Sequence, residues 1–381
     1  MNKFITSALA ISATGSLTLA GPGDDDWSTL DEDLESLRSP AIQGEGIDLG
    51  ALLRSTWETR EDAFGADEDS SGFELLDVDV WLEGEIGDFD WRISSDLAGV
   101  QDPYSFSASP DYEFQLEDAW ADFSVNEATS VTMGQFKAPT TFSTAIDPED
   151  QLLLRRPLIG QSLDVWDQGA MVYYGSDMLH AFFALSNGIS ELEAKHRYTF
   201  RVDVNFGDGA AGAFDGWAMR NGNRAQGDTT RVGVFYVNDN GNGASADDQL
   251  YGLDLASSFG TFLVEAEVVK VDEDSGDGGG PTFGGDMAFG VLQPDSTPWD
   301  IAGQVNLNDA FDVALRYEDW DDSADSSIWT AGLDWYPGDD PTLRWSIEVD
   351  IGDSDAVQLD GNALRIGLTL GGTRPGPSRS K

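Results

Sequence analysis

The chain has 381 residues, and its 21 Lys and Arg stand against 70 Asp and Glu, a formal net charge of −49. That balance excludes a nucleic-acid binder, which needs basic surface, while 40% hydrophobic and 11% aromatic content is too rich for a disordered acidic chain. The absence of Cys excludes disulfide frameworks, thiolate metal sites and cysteine nucleophiles, and two histidines, His180 and His196, leave little room for histidine-based metal sites or triads.

In chain order, Met1-Asn2-Lys3 is a short basic start, and residues 4–19 are apolar and small. Thr18-Leu19-Ala20 offers small residues at a cleavage site before Gly21-Pro22-Gly23. Residues 1–20 read as a secretory signal peptide, with an anchor helix as the alternative. Residues 21–45 read as an acidic N-terminal segment on the periplasmic side, in which 24–38 can form a short helix or stay solvated. No later apolar run is long enough for a membrane helix, so the chain is expected either to be exported and soluble or to cross a membrane as a β-barrel.

From residue 46 to 370 the dominant signal is alternation. Tyr198, Phe200, Val202, Val204 and Phe206 fall on one strand face, and Arg197, Thr199, Arg201, Asp203 and Asn205 on the other. The same pattern runs through 76–83, 89–97, 311–318, 343–350 and 363–370. Further strands are expected near 47–58, 112–125, 129–137, 166–175, 178–186, 213–220, 229–238, 249–259, 261–271, 282–292, 299–308 and 326–336. Tight turns are expected at 85–88, 257–260 and 308–310, and long loops at 66–72, 238–248 and 271–280. Residues 147–157 break the pattern. Pro148 suits the first helical position, acids follow it, and Arg155-Arg156 sit at the far end, where they would complement a helix dipole. Residues 371–381 read as a flexible C-terminal tail.

Alternation fits two architectures. A soluble β-sandwich puts the apolar face in its core, whereas an outer-membrane barrel turns that face to lipid and lines its lumen with the polar one. Three features favour an all-β, transmembrane antiparallel barrel of about 16 strands with an inward loop near 140–165 carrying a short helix. The polar faces carry opposite charges at close spacing, many strands share the pattern without domain breaks, and aromatics lie near strand ends (Trp57, Trp120, Trp166, Tyr173, Trp299, Trp320, Trp335).

The stretch Glu117-Asp118-Ala119-Trp120-Ala121-Asp122-Phe123, then Gly134-Gln135-Phe136-Lys137-Ala138-Pro139, resembles the phosphate-selective porin O/P family. Leu152-Leu153-Leu154-Arg155-Arg156-Pro157-Leu158 and the Gly-containing strand from Asp167 to Val172 continue the likeness, as do Gly72-Phe73-Glu74-Leu75 and Gly87 to Trp91. The resemblance spans about residues 70–175. It implies a sixteen-stranded, homotrimeric outer-membrane porin in a Gram-negative-type bacterium, embedded in outer-membrane lipid and passing small ions and solutes by diffusion. In well-known members anions and phosphate are favoured. This chain departs from them in its acidic composition, so cations are favoured if the acids reach the lumen.

Lys137, Arg155 and Arg156 are candidates for the constriction, either steering anions or pairing with nearby acids to hold the loop. Arg92, Arg201, Asp203, Arg316, Glu318, Arg344, Glu348 and Arg365 share polar strand faces and are candidate wall residues or cross-strand ion pairs. No catalytic residue, cofactor or resident metal is assigned. The loop from Asp272 to Gly280 and the trio Asp319, Asp321 and Asp322 match a Ca²⁺ ligand set only in composition. The alternatives are an exported β-sandwich that binds glycans through surface Trp and an acid-pair hydrolase on a β scaffold.

Overall fold

The computed structural model describes residues 47–60, 70–98, 115–188, 196–207, 220–221, 224–225, 227–239, 248–273, 292–293, 295–338, 343–354 and 361–371. The segments expected as signal peptide, acidic N-terminal segment and C-terminal tail, the strand at 282–292 and most of that at 213–220 lie outside them. The first half of the chain forms β1 (Ile47–Arg60), β2 (Ser70–Ile86), β3 (Phe89–Asp96), β4 (Gln115–Asn126), β5 (Thr129–Lys137), β6 (Trp166–Gly175), β7 (Leu179–Ser186) and β8 (Arg197–Gly207). A two-residue hairpin follows, β9 (Arg220–Asn221) and β10 (Arg224–Ala225). The second half forms β11 (Asp228–Asp239), β12 (Asp248–Phe259), β13 (Phe262–Glu273), β14 (Trp299–Asn308), β15 (Phe311–Asp319), β16 (Ser327–Trp335), β17 (Leu343–Asp353) and β18 (Gly361–Gly371).

Sixteen of these strands close into one antiparallel barrel, each beside its sequence neighbours, with β8 next to β11 and β18 next to β1. Closure runs from Leu52 opposite Gly371 to Arg60 opposite Ala363, so the barrel sheet has no open edge. Connections of two or three residues join strands at one end (87–88, 127–128, 176–178, 260–261, 309–310), where the connections 208–227 and 336–342 also lie, and the remaining longer ones lie at the other. Gly87 (φ 66°) and Gly260 (φ 61°) sit in the left-handed conformation that such tight turns require. The β9–β10 hairpin belongs to the short-turn end. There Arg224 donates to the carbonyls of Asn308 and Asp309 and pairs with Asp312 at 3.0 Å.

The barrel is inside-out. Arg201 is fully buried, whereas Tyr198 and Phe200 on the same strand are 41% and 46% exposed. Along β17, Trp345, Ile347, Val349 and Ile351 are exposed while Arg344, Ser346, Glu348 and Asp350 are buried. Such an apolar belt in water would be an aggregation surface; in hydrocarbon it is the expected coat. Aromatics rim the belt at both ends. Tyr198, Tyr236, Tyr251, Trp299 and Trp329 face outward near the long loops, and Phe89, Phe259, Phe262, Trp335 and Trp345 near the short turns. Trp299, Tyr317 and Trp329 pack in series with tilted rings, their centroids 5.2 Å and 4.7 Å apart.

Several local expectations are corrected. Trp120 and Tyr173 do not join a girdle; they pack inside the barrel with Phe136, Met171 and Phe182. Trp320 packs on an inner cluster too. Ser95 keeps the face expected for it, opposite Val80 as Ile93 is opposite Leu82, yet it is buried, with its hydroxyl donating to the Gln115 carbonyl beside a bulge in β4. Residues 147–157 hold only a single 3-10 turn, Pro148–Asp150, and the rest of that stretch is bends. The helices instead flank it, α1 (Phe142–Ala145) and α2 (Leu158–Ser162). Arg155 and Arg156 therefore cap no helix dipole. Asp321 and Asp322 are spent on turn geometry, accepting from the backbone of Thr297 and Ser326. Among the described residues no group of three acidic or histidine side chains is spaced to hold a metal ion.

Candidate constriction in the barrel lumen

A sixteen-strand barrel is too wide for its own wall side chains to fill. The connection between β5 and β6, residues 138–165, enters this space and is buried for most of its length. A loop that leaves the surface must find partners for its backbone polar groups. Here the charged wall supplies them, with cations bonding loop carbonyls and carboxylates bonding loop N–H groups.

Starting from β8, Arg201 donates to the Thr140 carbonyl. On β13, Glu267 accepts from the Ser143 N–H at 2.5 Å and from its hydroxyl at 2.6 Å. On β15, Glu318 accepts from the Leu158 N–H at 2.6 Å, and Arg316 donates to the Arg155 carbonyl at 2.7 Å. On β17, Arg344 donates to the Gln151 carbonyl at 2.9 Å, and Glu348 accepts from the Leu154 N–H at 2.5 Å. On β1, Arg54 donates to the Leu154 carbonyl. Charge-assisted bonds of this kind are each worth about 1.5–3 kcal/mol, so the loop is pinned to five strands around the ring.

Apolar contacts complete the seat. Leu158, Ile159 and Leu163 pack on Phe235, Val237, Leu250, Val269 and Val271 of the inner wall. The tip leucines use two glycines. A Cβ on Gly332 would stand 2.6 Å from Leu153, and one on Gly367 would stand 2.6 Å from Leu154. Both glycines occupy inward registers where any larger residue would push the loop off the wall.

The sequence-expected residues fall into place as follows. Arg155 pairs with Glu74 at 2.9 Å and Glu58 at 3.2 Å, which docks the loop tip between β1 and β2. Arg156 stays within the loop, pairing with Asp164 at 3.2 Å and donating to the carbonyls of Ser143 and Ile146. Lys137 pairs with Asp164 at 2.6 Å and lies over the Trp166 ring. It alternates with Met133 and Gln135, away from the buried Thr132 and Phe136, so it does not share the inward row. Arg92 pairs with Asp118 at 2.9 Å. Arg201 bridges Asp203 and Asp254, with closest contacts of 2.6 Å to each. Arg316 meets Glu318 at 2.8 Å, Arg344 meets Asp334 at 3.8 Å, and Arg365 meets Glu58 and Asp350 at 2.6 Å each.

Sequence reasoning passed over Glu58, Asp254, Glu267, Asp300 and the three glycines 233, 332 and 367. The strand register gathers three of these acids and one candidate into a pattern. Asp254 stands opposite Glu267, Glu267 opposite Asp300, and Asp300 opposite Glu318, a lateral row across β12 to β15. Gly233 stands opposite both Asp203 and Asp254, and its missing side chain makes room for the Arg201 guanidinium that joins them. Asp254 shares its face with Leu250 and Ala256, and Glu267 with Leu263, Val269 and Val271, so alternation in these segments marks no polar face, and the alignment of the acids needs the register between strands.

The family described as Phosphate-selective porin O and P matches residues 59–234. Among solved structures, the chain is similar to an anion-selective porin from Comamonas acidovorans (10% identity, TM-score 0.58, covering 86% of this chain and 99% of that one). It is also similar to the trimer form of in-vitro folded OmpT of Vibrio cholerae (11% identity, TM-score 0.57, covering 86% and 100%). A third is a triple mutant of the Rhodopseudomonas blastica porin (13% identity, TM-score 0.52, covering 86% and 100%). No curated protein matches the chain by sequence. Over residues 59–234 the chain is thus similar to the phosphate-selective porin O and P family, and its closed sixteen-stranded barrel is the fold of these outer-membrane porins.

Proposed function

We propose that this protein is an outer-membrane porin that passes small hydrated ions and solutes by passive diffusion, with cations favoured over anions at the constriction. The observation that carries the ionic preference is the pairing of the lumen cations. Arg54, Arg92, Arg155, Arg156, Arg201, Arg316, Arg344 and Arg365 each lie within ion-pair distance of a carboxylate. Several of them also bond loop carbonyls. These arginines are thus engaged by carboxylates and hold the loop, and the row on β12 to β15 adds acidic side chains to the wall. A lumen lined in this way enriches cations.

Arg155, Arg156, Arg316, Glu318, Arg344, Glu348 and Arg365 shape the constriction by fixing the loop, and Arg92, Arg201 and Asp203 act as wall pairs below or beside it. Export by a signal peptide at residues 1–20 and a barrel domain over 46–370 fit this reading. A homotrimer is supported by the outer face of β4 to β6. Ala119 stands opposite Gln135, and Gln135 opposite Gln168, with Ala121, Met133 and Ala170 beside them. Small and amide side chains suit a protein neighbour better than lipid, and one of the similar structures is a trimer form.

The test is reconstitution into planar bilayers. Stepwise conductance is expected, with a zero-current potential on the cation side under a KCl gradient. Folded protein without conductance would refute the diffusion pathway, and a phosphate-favouring potential would refute the cation preference.

A further inference from the structure

Beside the loop, between it and β13 to β15, lies a cavity of about 30 Å³. Its wall side is formed by Glu265, Glu267, Asp300, Ala302 and Arg316. About 10–15 Å³ of such space holds one water, so there is room for one small ion and a water.

Within the carboxylate row, three members are satisfied. Asp254 is bonded by Arg201, Glu267 by Ser143, and Glu318 by Leu158 and Arg316. Asp300 differs. It is 4% exposed, it faces the cavity, and its Oδ2 has no hydrogen-bond partner among the described residues. An ionised carboxylate buried without a counter-charge is strongly disfavoured. The guanidiniums on the cavity are committed elsewhere: Arg316 to Glu318 and the Arg155 carbonyl, Arg155 to Glu58 and Glu74, Arg156 to Asp164. An anion in this space would face Glu265, Glu267 and Asp300 together.

Resting on the diffusion reading above, we propose that this cavity is a binding site for a single small monovalent cation, held by the Asp300 carboxylate on the permeation route beside the loop. A divalent ion does not suit it, since no three carboxylates here are spaced as a metal cage and Ca²⁺ takes six to eight oxygens. One carboxylate and water give a loose site, which an ion can enter and leave during conduction.

The experiment compares the full-length protein with Asp300→Asn, which keeps the side-chain volume and removes the charge, and with Asp300→Glu, which keeps the charge. Heat-modifiable gel mobility establishes that each variant is folded. The readout is the K⁺:Cl⁻ permeability ratio in planar bilayers, together with anomalous diffraction from crystals soaked in Tl⁺. The ratio is expected to fall about fivefold in Asp300→Asn, the factor carried by about 1 kcal/mol, which is a unit charge at about 4 Å in water. Asp300→Glu is expected to stay near wild type, and the Tl⁺ peak beside residue 300 to vanish in Asp300→Asn only. Equal ratios in wild type and Asp300→Asn, or no Tl⁺ peak in wild-type crystals, would overturn the site while leaving the porin intact. A wild type that passes no ions would overturn the diffusion reading itself.

Discussion

Replacing Arg201 by Met tests whether buried charge pairing holds the lumen together. The side chain is fully buried and makes four contacts with carboxylate oxygens: 3.1 and 2.6 Å to Asp203, and 2.6 and 2.8 Å to Asp254. It also bonds the Thr140 carbonyl at the start of the inward loop. Met keeps most of the volume and none of the donors. Asp203 retains Arg231 at 3.2 Å, so most of the cost falls on Asp254, 1% exposed and left without its guanidinium. Removing one partner of a buried pair costs about 3–5 kcal/mol, because the remaining charge stays desolvated. The temperature at which the folded band is lost on gels is therefore expected to drop in Arg201→Met. The second change, Asp254→Asn, removes the stranded charge, and the double variant is expected to recover most of the loss. A double variant as unstable as the single one would refute the account, since the cost would then lie in packing or the Thr140 anchor rather than in Asp254. The coupling comes directly from the double-mutant cycle.

Two further outcomes follow from the geometry. Leu315→Arg places a charge on an outward position that is 49% exposed in the middle of β15. At the bilayer midplane it should cost about 2–4 kcal/mol, read as reduced assembly into liposomes, and assembly equal to wild type would mean that this face does not meet lipid. Gly367→Val puts a side chain where Leu154 rests, and overpacking of this kind costs about 1–3 kcal/mol. The displaced loop tip is expected to give larger and noisier single-channel steps, and unchanged steps would show that the tip does not narrow the route.

Much of the local chemistry was legible in the residues. The alternation of Tyr198 to Phe206 names both faces of β8 correctly, and the same holds for β15, β17 and β18. Asn308-Asp309-Ala310 marks its turn. The failures have local causes. Arg155 and Arg156 follow Pro148 and a run of acids as a helix end would, yet each is drawn off by a distant or neighbouring carboxylate, Glu74 and Asp164. β4 takes an extra residue opposite Ser94 at a bulge that no dipeptide signals. Lys137, by contrast, pairs with Asp164 of the loop, one of the two roles its sequence context offered, from the outward side of the alternation.

The inward loop near 140–165 was visible in the sequence, but the wall residues that seat it were not. Glu58 and Arg155 are nearly a hundred positions apart, and nothing between them announces that they meet. The same is true of Leu154 and Gly367, or of Leu153 and Gly332. Such pairs exist only because a loop crosses a closed ring of strands.

The amino-acid order alone determined that strands form, which side chains share a face, and that the chain is strongly acidic overall. Period-two alternation is symmetric, however. It separates greasy from polar faces without saying which of them meets the surroundings, because a sandwich and a barrel obey the same rule. Only the tertiary structure decided that question, through closure of β18 on β1, and it alone aligned Asp254, Glu267, Asp300 and Glu318. Both depend on contacts between residues remote in the chain, and strand register is a property of pairs rather than of any one segment.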